Sequence, residues 1–266
     1  MRRCCLFVFV LVSLTGCVAP AVALPKERIA NFRHAHVVPM EAHPLGVSPG
    51  FTSQIPIQAA GGSISAVRGI GVFNTIAIFL EMPEASQRSD DASRSLQAIL
   101  DTKTVWAPTV VLANQVSKQL GANGIAANVA SEVKPIPGVE DRRATVTMEN
   151  WMAPIRAHYN DPGPVDDYRV LASDQSLYVL EVSISNYELI DQTLLLQVHL
   201  KMINPSDGRV LGRSRAAKGG NLPPLKEAFA NEAIRFKEVF AETGRELVSK
   251  CLTELGLISP ALSERR

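Results

Sequence analysis

The sequence predicts an α/β fold: a mixed sheet with an antiparallel three-strand meander, helices packed on one face, and a long C-terminal helix. Residues 178–213 alternate between apolar and polar side chains in runs separated by turn residues, which is typical of antiparallel strands with one buried face. Residues 231–255 repeat apolar side chains at helical spacing and end before a glycine. A second helical pattern begins at Pro108, so helices and strands share the chain.

The first half of the chain is predicted to contribute one strand and two helices. His36–Met40 is a strand candidate, with Pro39 at its end or on a sheet edge because proline lacks a donor for the ladder. Residues 42–104 form an insertion between this strand and the next helix, Pro108–Gly121. Within the insertion, Asp90–Asp101 is expected to fold as a short helix.

The insertion also contains an unusual apolar segment, Ile64–Met82. From Gly69 to Leu80 it carries no charge. It is too short for a transmembrane helix, which needs about 20 residues, and it lacks the in–out alternation of a membrane strand. Three interpretations stay open: a buried core segment, a subunit interface or a membrane contact.

The stretch between the second helix and the meander shows weaker patterns. Gly124–Val133 is predicted as a weak strand and Met148–His158 as a short helix that ends at Asn160–Pro164.

The meander is the clearest local signal in the chain. Tyr178–Ser185 and Leu194–Met202 alternate over their whole length, and the polar break at Glu188–Asp191 allows a hairpin between them. Asn204–Gly208 is then a turn, in which proline sets φ and glycine supplies a positive φ. Arg209–Arg213 is expected to be the third strand.

The last helix is predicted at Asn231–Leu255, with Gly256 as its C-terminal cap. Cys251 falls on the same side as the large apolar residues of this helix, so we expect it to be buried as a small hydrophobic residue. Residues 32–258 are therefore predicted to form a single α/β domain, followed by a flexible tail at 259–266.

The meander and the terminal helix resemble a known group of proteins. Tyr178–Tyr187, Leu194–Met202 and Asp207–Leu211 are similar to the hairpin core of small periplasmic α/β lipoproteins of the curli-secretion, transport-auxiliary and exopolysaccharide-export (Pel) type. The resemblance implies an envelope protein. Its motifs are structural, so it transfers no functional residue, and the insertion at 42–104 departs from the group.

The N-terminus has the parts of an export signal. Arg2 and Arg3 precede a short apolar run at residues 6–12, and Leu14-Thr15-Gly16-Cys17 follows. These four residues resemble the lipobox of bacterial lipoproteins. The resemblance implies that residues 1–16 are a signal peptide cleaved between Gly16 and Cys17. It also implies that Cys17 carries a thioether-linked diacylglycerol and an amide-linked acyl chain such as palmitate, with residues 17–31 as the lipidated N-terminus and tether.

Two details of this region concern where the mature protein lies. Val18 rather than an aspartate follows the cysteine, which by resemblance to enterobacterial lipoproteins implies the outer membrane, with the domain facing the periplasm. Ala21–Ala23 is a competing A-x-A site, at which cleavage would release a soluble protein that begins at Leu24. The predicted membrane contact is through the acyl chains on Cys17, because two or more chains make a stable anchor.

Charge and cysteine content exclude some functions. The chain has 27 Lys and Arg residues against 26 Asp and Glu residues and no basic block, so it lacks the positive surface that nucleic-acid binding needs. If Cys4 and Cys5 leave with the signal peptide and Cys17 is lipidated, Cys251 has no cysteine partner within the chain.

The sequence contains no convincing catalytic or cofactor motif. Gly46–Gly50 matches the G-x-S-x-G motif of hydrolases, but Pro49 lacks the N–H that this motif uses as an oxyanion donor. His34 and His36 would share one face of a strand, with His43 nearby, and are candidates for a Zn²⁺ or Cu²⁺ site. The simpler interpretation is an exposed segment. We expect neither an enzyme nor a bound cofactor.

These observations predict a lipoprotein that is anchored in the outer membrane and faces the periplasm. Its expected role is that of a non-enzymatic protein-binding or assembly component of a cell-envelope or export system, through an envelope partner or self-association. The alternative is a periplasmic binder of a small apolar ligand or lipid, in which Ile64–Met82 lines an apolar pocket.

Overall fold

The computed structural model describes residues 21–23, 32–47, 89–102, 104–142, 148–172 and 176–259. In this part of the chain the strands are β1 (His34–Pro39), β2 (Gly46–Val47), β3 (Ala126–Val129), β4 (Leu177–Ile190), β5 (Thr193–Ile203) and β6 (Val210–Asn221). The helices are α1 (89–100), α2 (Pro108–Ala122), α3 (Ala153–Asn160), α4 (Leu225–Ala228) and α5 (Ala230–Glu254).

These strands form one mixed sheet, which confirms the predicted fold class. The order is β3-β1-β4-β5-β6, and β2 also pairs with β4. β1 lies between β3 and β4 and runs parallel to both, whereas β4, β5 and β6 form the predicted antiparallel meander. Pro39 is the last residue of β1, so its missing N–H does not interrupt the hydrogen bonds within the strand ladder.

The meander strands are longer than predicted. The hairpin between β4 and β5 closes tightly at Asp191 and Gln192, and Asp191 adopts a positive φ of 51°. The third strand continues from the predicted end at Arg213 to Asn221. Residues 214–221 carry few large apolar side chains, so their pattern did not indicate a strand. Ser214, Ala216 and Gly220 are nevertheless buried.

One face of the sheet carries α1, α2 and α5 above the main core. The strands contribute their alternating apolar residues, such as Leu180, Val198 and Leu200, and α5 contributes Phe236 and Phe240. Burial of these side chains is the main stabilising contribution to the domain, at roughly 25 cal/mol per Å² of apolar surface. Cys251 also lies in this layer and is fully buried, as predicted.

The opposite face is also covered at one end, which differs from the prediction that the helices pack on one face. A smaller core there joins Ile155 of α3 and Trp151 to Val179 of β4 and Ile203 of β5. The polar residues of the meander made this face resemble a solvated surface. α3 and the loop after α3 can cover this face because the polar side chains of the meander have hydrogen-bond partners within the protein.

The helix ends follow the expected chemistry with small shifts. α2 starts at Pro108, but its left-handed residue is Gly124 (φ 79°) rather than the predicted Gly121. Gly256 (φ 79°) ends α5 as predicted. Residues 231–233 have positive φ values of 49°, 62° and 58°, so regular helix begins only after Ala233. The predicted helix Met148–His158 is a π-helical turn, Met148–Met152, followed by α3.

Several predictions lie outside the described residues. They are the signal peptide, the lipidation site Cys17 with most of the tether, the apolar segment Ile64–Met82, and most of the tail at 259–266.

Candidate functional site

A cavity of about 690 Å³ opens at the edge of the sheet where β1 ends. The chain around β2, one side of α1 and the edge of β4 form most of its wall. The lining residues in and just before β2 are His43, Pro44, Gly46 and Val47. Those in and directly after α1 are Ser89, Asp90, Ser93, Arg94, Gln97, Ala98 and Asp101. Those of β4 are Asn186, Tyr187 and Glu188, and Arg142 and Met152 complete the wall. This size is within the range of roughly 300–1,000 Å³ for small-molecule sites.

The cavity forms because β1 and β2 leave part of the β4 edge open. β1 pairs with β4 as far as Val182, and β2 rejoins β4 only at Glu188, so on this side of β4 no described strand lies beside the residues between them. α1 closes the other side. The hydroxyls of Ser89 and Ser93 donate to the two backbone carbonyls that flank Gly46 and hold α1 against this loop.

His43 is a deeply buried polar side chain of the cavity wall, with 3% of its surface exposed. Its Nδ1 lies 2.7 Å from the carbonyl oxygen of Pro44, and its Nε2 has no hydrogen-bond partner among the described residues. Burial lowers the pKa of His43 to about 4, so the ring is neutral at pH 7. A carbonyl can only accept, so Nδ1 carries the single ring proton and Nε2 is a free acceptor.

A recess of about 200 Å³ adjoins the cavity and shares five lining residues with it, His43 among them. Both tryptophans of the chain line this recess. Trp106 Nε1 donates to the Tyr187 hydroxyl at 2.9 Å. Trp151 Nε1 is buried without a partner in the described structure, and its ring meets the His43 ring edge-on at 6.3 Å between centroids. Two residues that line the recess therefore each carry one unpaired ring nitrogen, an acceptor on His43 and a donor on Trp151.

The two arginines at the cavity are each paired with a carboxylate. Arg142 Nε lies 2.9 Å from the Glu41 carboxylate, and the Arg94 guanidinium lies 2.5 Å from Asp91. Glu188 has a pKa raised by desolvation. The wall has no surplus of positive charge to attract an anion.

A second polar cluster lies on the opposite face of the sheet and is closed to solvent. Glu181 of β4 is only 1% exposed. Its Oε1 accepts from the Val165 backbone N–H at 2.8 Å and from the Tyr168 hydroxyl at 3.0 Å. Its Oε2 lies 3.4 Å from both Lys201 Nζ and His158 Nε2. Desolvation raises the pKa of Glu181, and the positive charge of Lys201 opposes this rise.

This cluster fastens the chain after α3 to the sheet. Lys201 Nζ donates to the backbone carbonyls of His158 and Gly163 at 2.9 and 2.8 Å. Burial, reinforced by the charge of Lys201, lowers the pKa of His158 to about 3, so this imidazole is neutral. Glu181 Oε1 and Lys201 Nζ make hydrogen bonds within the protein, and among the described residues Glu181 Oε2 makes only the two 3.4 Å contacts, so the role of the cluster is structural.

Ser185 and His199 form a buried pair beneath Tyr159 that resembles a nucleophile and its base. Ser185 Oγ lies 2.5 Å from His199 Nε2 and donates to Gln197 Oε1 at 2.9 Å. Because the serine proton is directed to Gln197, His199 Nε2 must donate to the serine oxygen and cannot act as its base. The Tyr159 ring packs edge-on against His199 at 4.5 Å. The pair is closed and not poised for catalysis.

The sequence-predicted metal candidates are not brought together. His34 contacts Ser176 Oγ at 3.1 Å near the start of β1, whereas His43 is buried against Trp151 and Tyr187. His36 belongs to no metal site either, because no group of three His, Cys, Asp or Glu side chains in the described part of the chain could hold a metal ion. The deep burial of His43 could not be inferred from its sequence neighbours.

Among the helices that the structure describes, none is both long enough and apolar enough to cross a membrane.

The chain matches no protein-family model and no curated protein. It is similar to the solved PelC dodecamer from Paraburkholderia phytofirmans, with 10% identity over 89% of this chain and 95% of that chain and a TM-score of 0.36. It is also similar to a hypothetical protein from Chlamydia trachomatis (9% identity, 86% and 99% coverage, TM-score 0.36). A third similar structure is a DUF330 protein from Xanthomonas campestris (14% identity, 89% and 91% coverage, TM-score 0.32). None of these TM-scores reaches 0.5, and no role is transferred from these proteins.

Proposed function

We propose that this chain is an exported lipoprotein, acylated on Cys17 and held at the outer membrane with its α/β domain in the periplasm. The observation that carries this proposal is the Leu14–Cys17 stretch behind a basic start and a short apolar run. Acyl chains on Cys17 would bind the membrane with about 0.8 kcal/mol for each buried methylene.

The position of Val22 favours cleavage before Cys17 over the competing site after Ala23. Val22 exchanges two backbone hydrogen bonds with Arg213 of β6, at 2.8 and 3.0 Å. Cleavage after Ala23 would remove both bonds, each of which contributes about 0.5–1.5 kcal/mol. Cleavage before Cys17 keeps them in the mature protein.

The same contact would hold the domain close to the bilayer. Val22 comes five residues after Cys17. Because an extended chain spans at most about 3.6 Å per residue, the β6 edge would lie within about 18 Å of the acylated residue.

Within this setting we propose that the domain binds an envelope protein or a second copy of itself and is not an enzyme. The edge of β6 supports this role, since residues 217–219 are exposed and no described strand pairs with this edge beyond Val22. Exposed strand edges are sites where another chain can add a strand. The closed Ser185–His199 pair supports a role without catalysis.

Mass spectrometry of the protein isolated from cell membranes tests the anchor. We expect an N-terminal Cys17 that carries a diacylglycerol and a further acyl chain, and we expect Cys17→Ser to remain unprocessed. An unacylated N-terminus at Leu24 would contradict the proposal.

Photo-crosslinking in cells tests the partner. A photoreactive residue at Ala217, on the exposed β6 edge, should give a discrete protein adduct. The matched control is Val170, which is 84% exposed but lies in a short 3₁₀ helix after α3, away from any described strand edge. If Ala217 gives no adduct and the mature protein is monomeric in solution, the partner-binding role is wrong.

The cavity supports a second candidate function, the binding of a small apolar ligand. The segment Ile64–Met82, which is expected to line such a site, lies outside the described residues, and the wall given above is formed by the described ones. Native mass spectrometry of freshly purified protein should then show a co-purifying small molecule with an alkyl or acyl chain. A protein that binds no such molecule, even when offered it, would exclude this candidate.

A further inference from the structure

The cavity contains a buried hydrogen-bond acceptor that neither proposed function explains. The His43 side chain lines both the cavity and its recess, and its Nε2 is enclosed and has no partner among the described residues. Buried polar groups without partners are rare in folded proteins because leaving them unpaired is costly. A group that the protein itself leaves unpaired at the wall of a cavity points to a ligand atom.

The tautomer of His43 determines which ligand atom fits. Nδ1–H is committed to the Pro44 carbonyl, so Nε2 presents a lone pair. A ligand must donate a proton to it, from a hydroxyl or an amide N–H. A fully ionised carboxylate or phosphate has only acceptor oxygens. It would bring a second lone pair against that of Nε2 and would be repelled.

Trp151 further restricts which head group of a ligand would fit. This residue also lines the recess with its ring next to that of His43, and its Nε1–H is an unpaired donor. A single hydroxyl can donate to His43 and accept from Trp151, and an amide can do the same with its N–H and C=O. An ammonium group could serve only His43.

The rest of the wall favours a molecule with an apolar body, and the Asp90, Asp101 and Glu188 side chains that also line it disfavour a negative charge. Pro44, Val47, Met152 and the Tyr187 ring offer apolar surface. The nearby cations Arg94 and Arg142 are paired with carboxylates, so they do not create an anion site.

We propose that this cavity binds an uncharged amphiphile, an alkyl or acyl chain with an alcohol or amide head that donates a hydrogen bond to His43 Nε2. This inference rests on the ligand-binding function proposed above and adds the chemistry of the head group.

The two tryptophans allow a direct binding assay, since both line the recess. The protein is the mature chain, residues 17–266, with Cys17→Ser so that no detergent competes. The probes are 1-decanol, its methyl ether and decanoate at pH 7.5, titrated against tryptophan emission. The alcohol alone can donate, so it should bind about tenfold more tightly than either other probe, which corresponds to about 1.4 kcal/mol for one hydrogen bond.

His43→Phe tests the assigned acceptor. This variant keeps an aromatic ring but removes the lone pair, and it should lower the affinity for decanol about tenfold while the affinity for the ether stays unchanged. His36→Phe, outside the cavity, is the control and should leave both affinities unchanged. If His43→Phe does not fold, the preference for alcohol over ether in the parent protein still decides the question.

The outcomes separate this inference from the functions on which it stands. Equal affinities for alcohol, ether and decanoate would overturn the head-group inference but leave apolar ligand binding in place. If no probe changes the emission or is retained in native mass spectra, the inference and the ligand-binding function both fail. The lipoprotein proposal is decided separately by the acylation of Cys17.

Discussion

The burial of His199 predicts that the domain loses stability in mild acid, and His199→Gln measures this loss. The imidazole is 2% exposed, lies under the Tyr159 ring and has an unpaired Nδ1. Burial, helped by the nearby positive charge of Arg215, lowers its pKa from 6.5 to about 3. In mild acid His199 is therefore protonated only in the unfolded chain.

The sign and size follow from proton linkage. The unfolded chain takes up a proton on His199 below pH 6.5, whereas the folded domain takes it up only near pH 3. The contribution of His199 to stability is therefore full above pH 6.5 and decreases as the pH falls towards 3. The decrease is about 1.4 kcal/mol per pH unit, so between pH 7 and pH 5 the wild-type domain should lose about 2 kcal/mol through this residue.

The assay is urea unfolding followed by circular dichroism at pH 7 and pH 5. We expect His199→Gln to lose about 2 kcal/mol less than the wild type over this interval. Ser185→Ala is the matched control, because it removes the hydrogen bond to His199 but keeps the imidazole. It should be less stable at both pH values with the wild-type pH dependence. If His199→Gln and the wild type lose the same free energy, His199 titrates freely in the fold and the reasoning is refuted.

Lys201→Met should lower the free energy of unfolding by about 3–5 kcal/mol in urea, because it leaves the Glu181 carboxylate buried without its cation. Adding Glu181→Gln should recover part of this loss, and a further decrease would contradict the pairing. Gly220→Val should cost about 1–3 kcal/mol, because a Cβ there would meet a hydroxyl of α5, whereas Gly121→Ala, whose Cβ meets nothing within 4 Å, should not lower the melting temperature. The Cys251 thiol is buried with its pKa raised to about 12, so a disulfide reagent should label it only after urea is added, and rapid labelling of the native protein would show that the site opens.

The existence and type of the main elements followed from the sequence. The apolar alternation of β4 and β5 and the helical repeat of α5 are local patterns that each need one buried face, and burial of that face is the strongest stabilising term in the fold. The glycine after α5 is likewise a local requirement, because a left-handed residue ends the helix.

The register of the meander depended on tertiary structure. A β-bulge between Ile184 and Asn186 shifts the pairing by one residue, and this shift places Glu181 directly opposite Lys201. The sequence held a signal for it, since the apolar positions change from even numbers at Ile184 to odd numbers at Tyr187. That change has a meaning only when the partner strand is known.

The sequence by itself determined the strands, the helices and the side of each that is apolar, because these depend on neighbours within a few residues. It also supplied the export and lipidation motif, which stays a prediction. Only the tertiary structure decided that both faces of the sheet are covered and that the cavity around His43 exists. That cavity needs the loop before β2, α1, Trp151 and the open edge of β4 to meet, and such a meeting of distant segments leaves no local pattern in the chain.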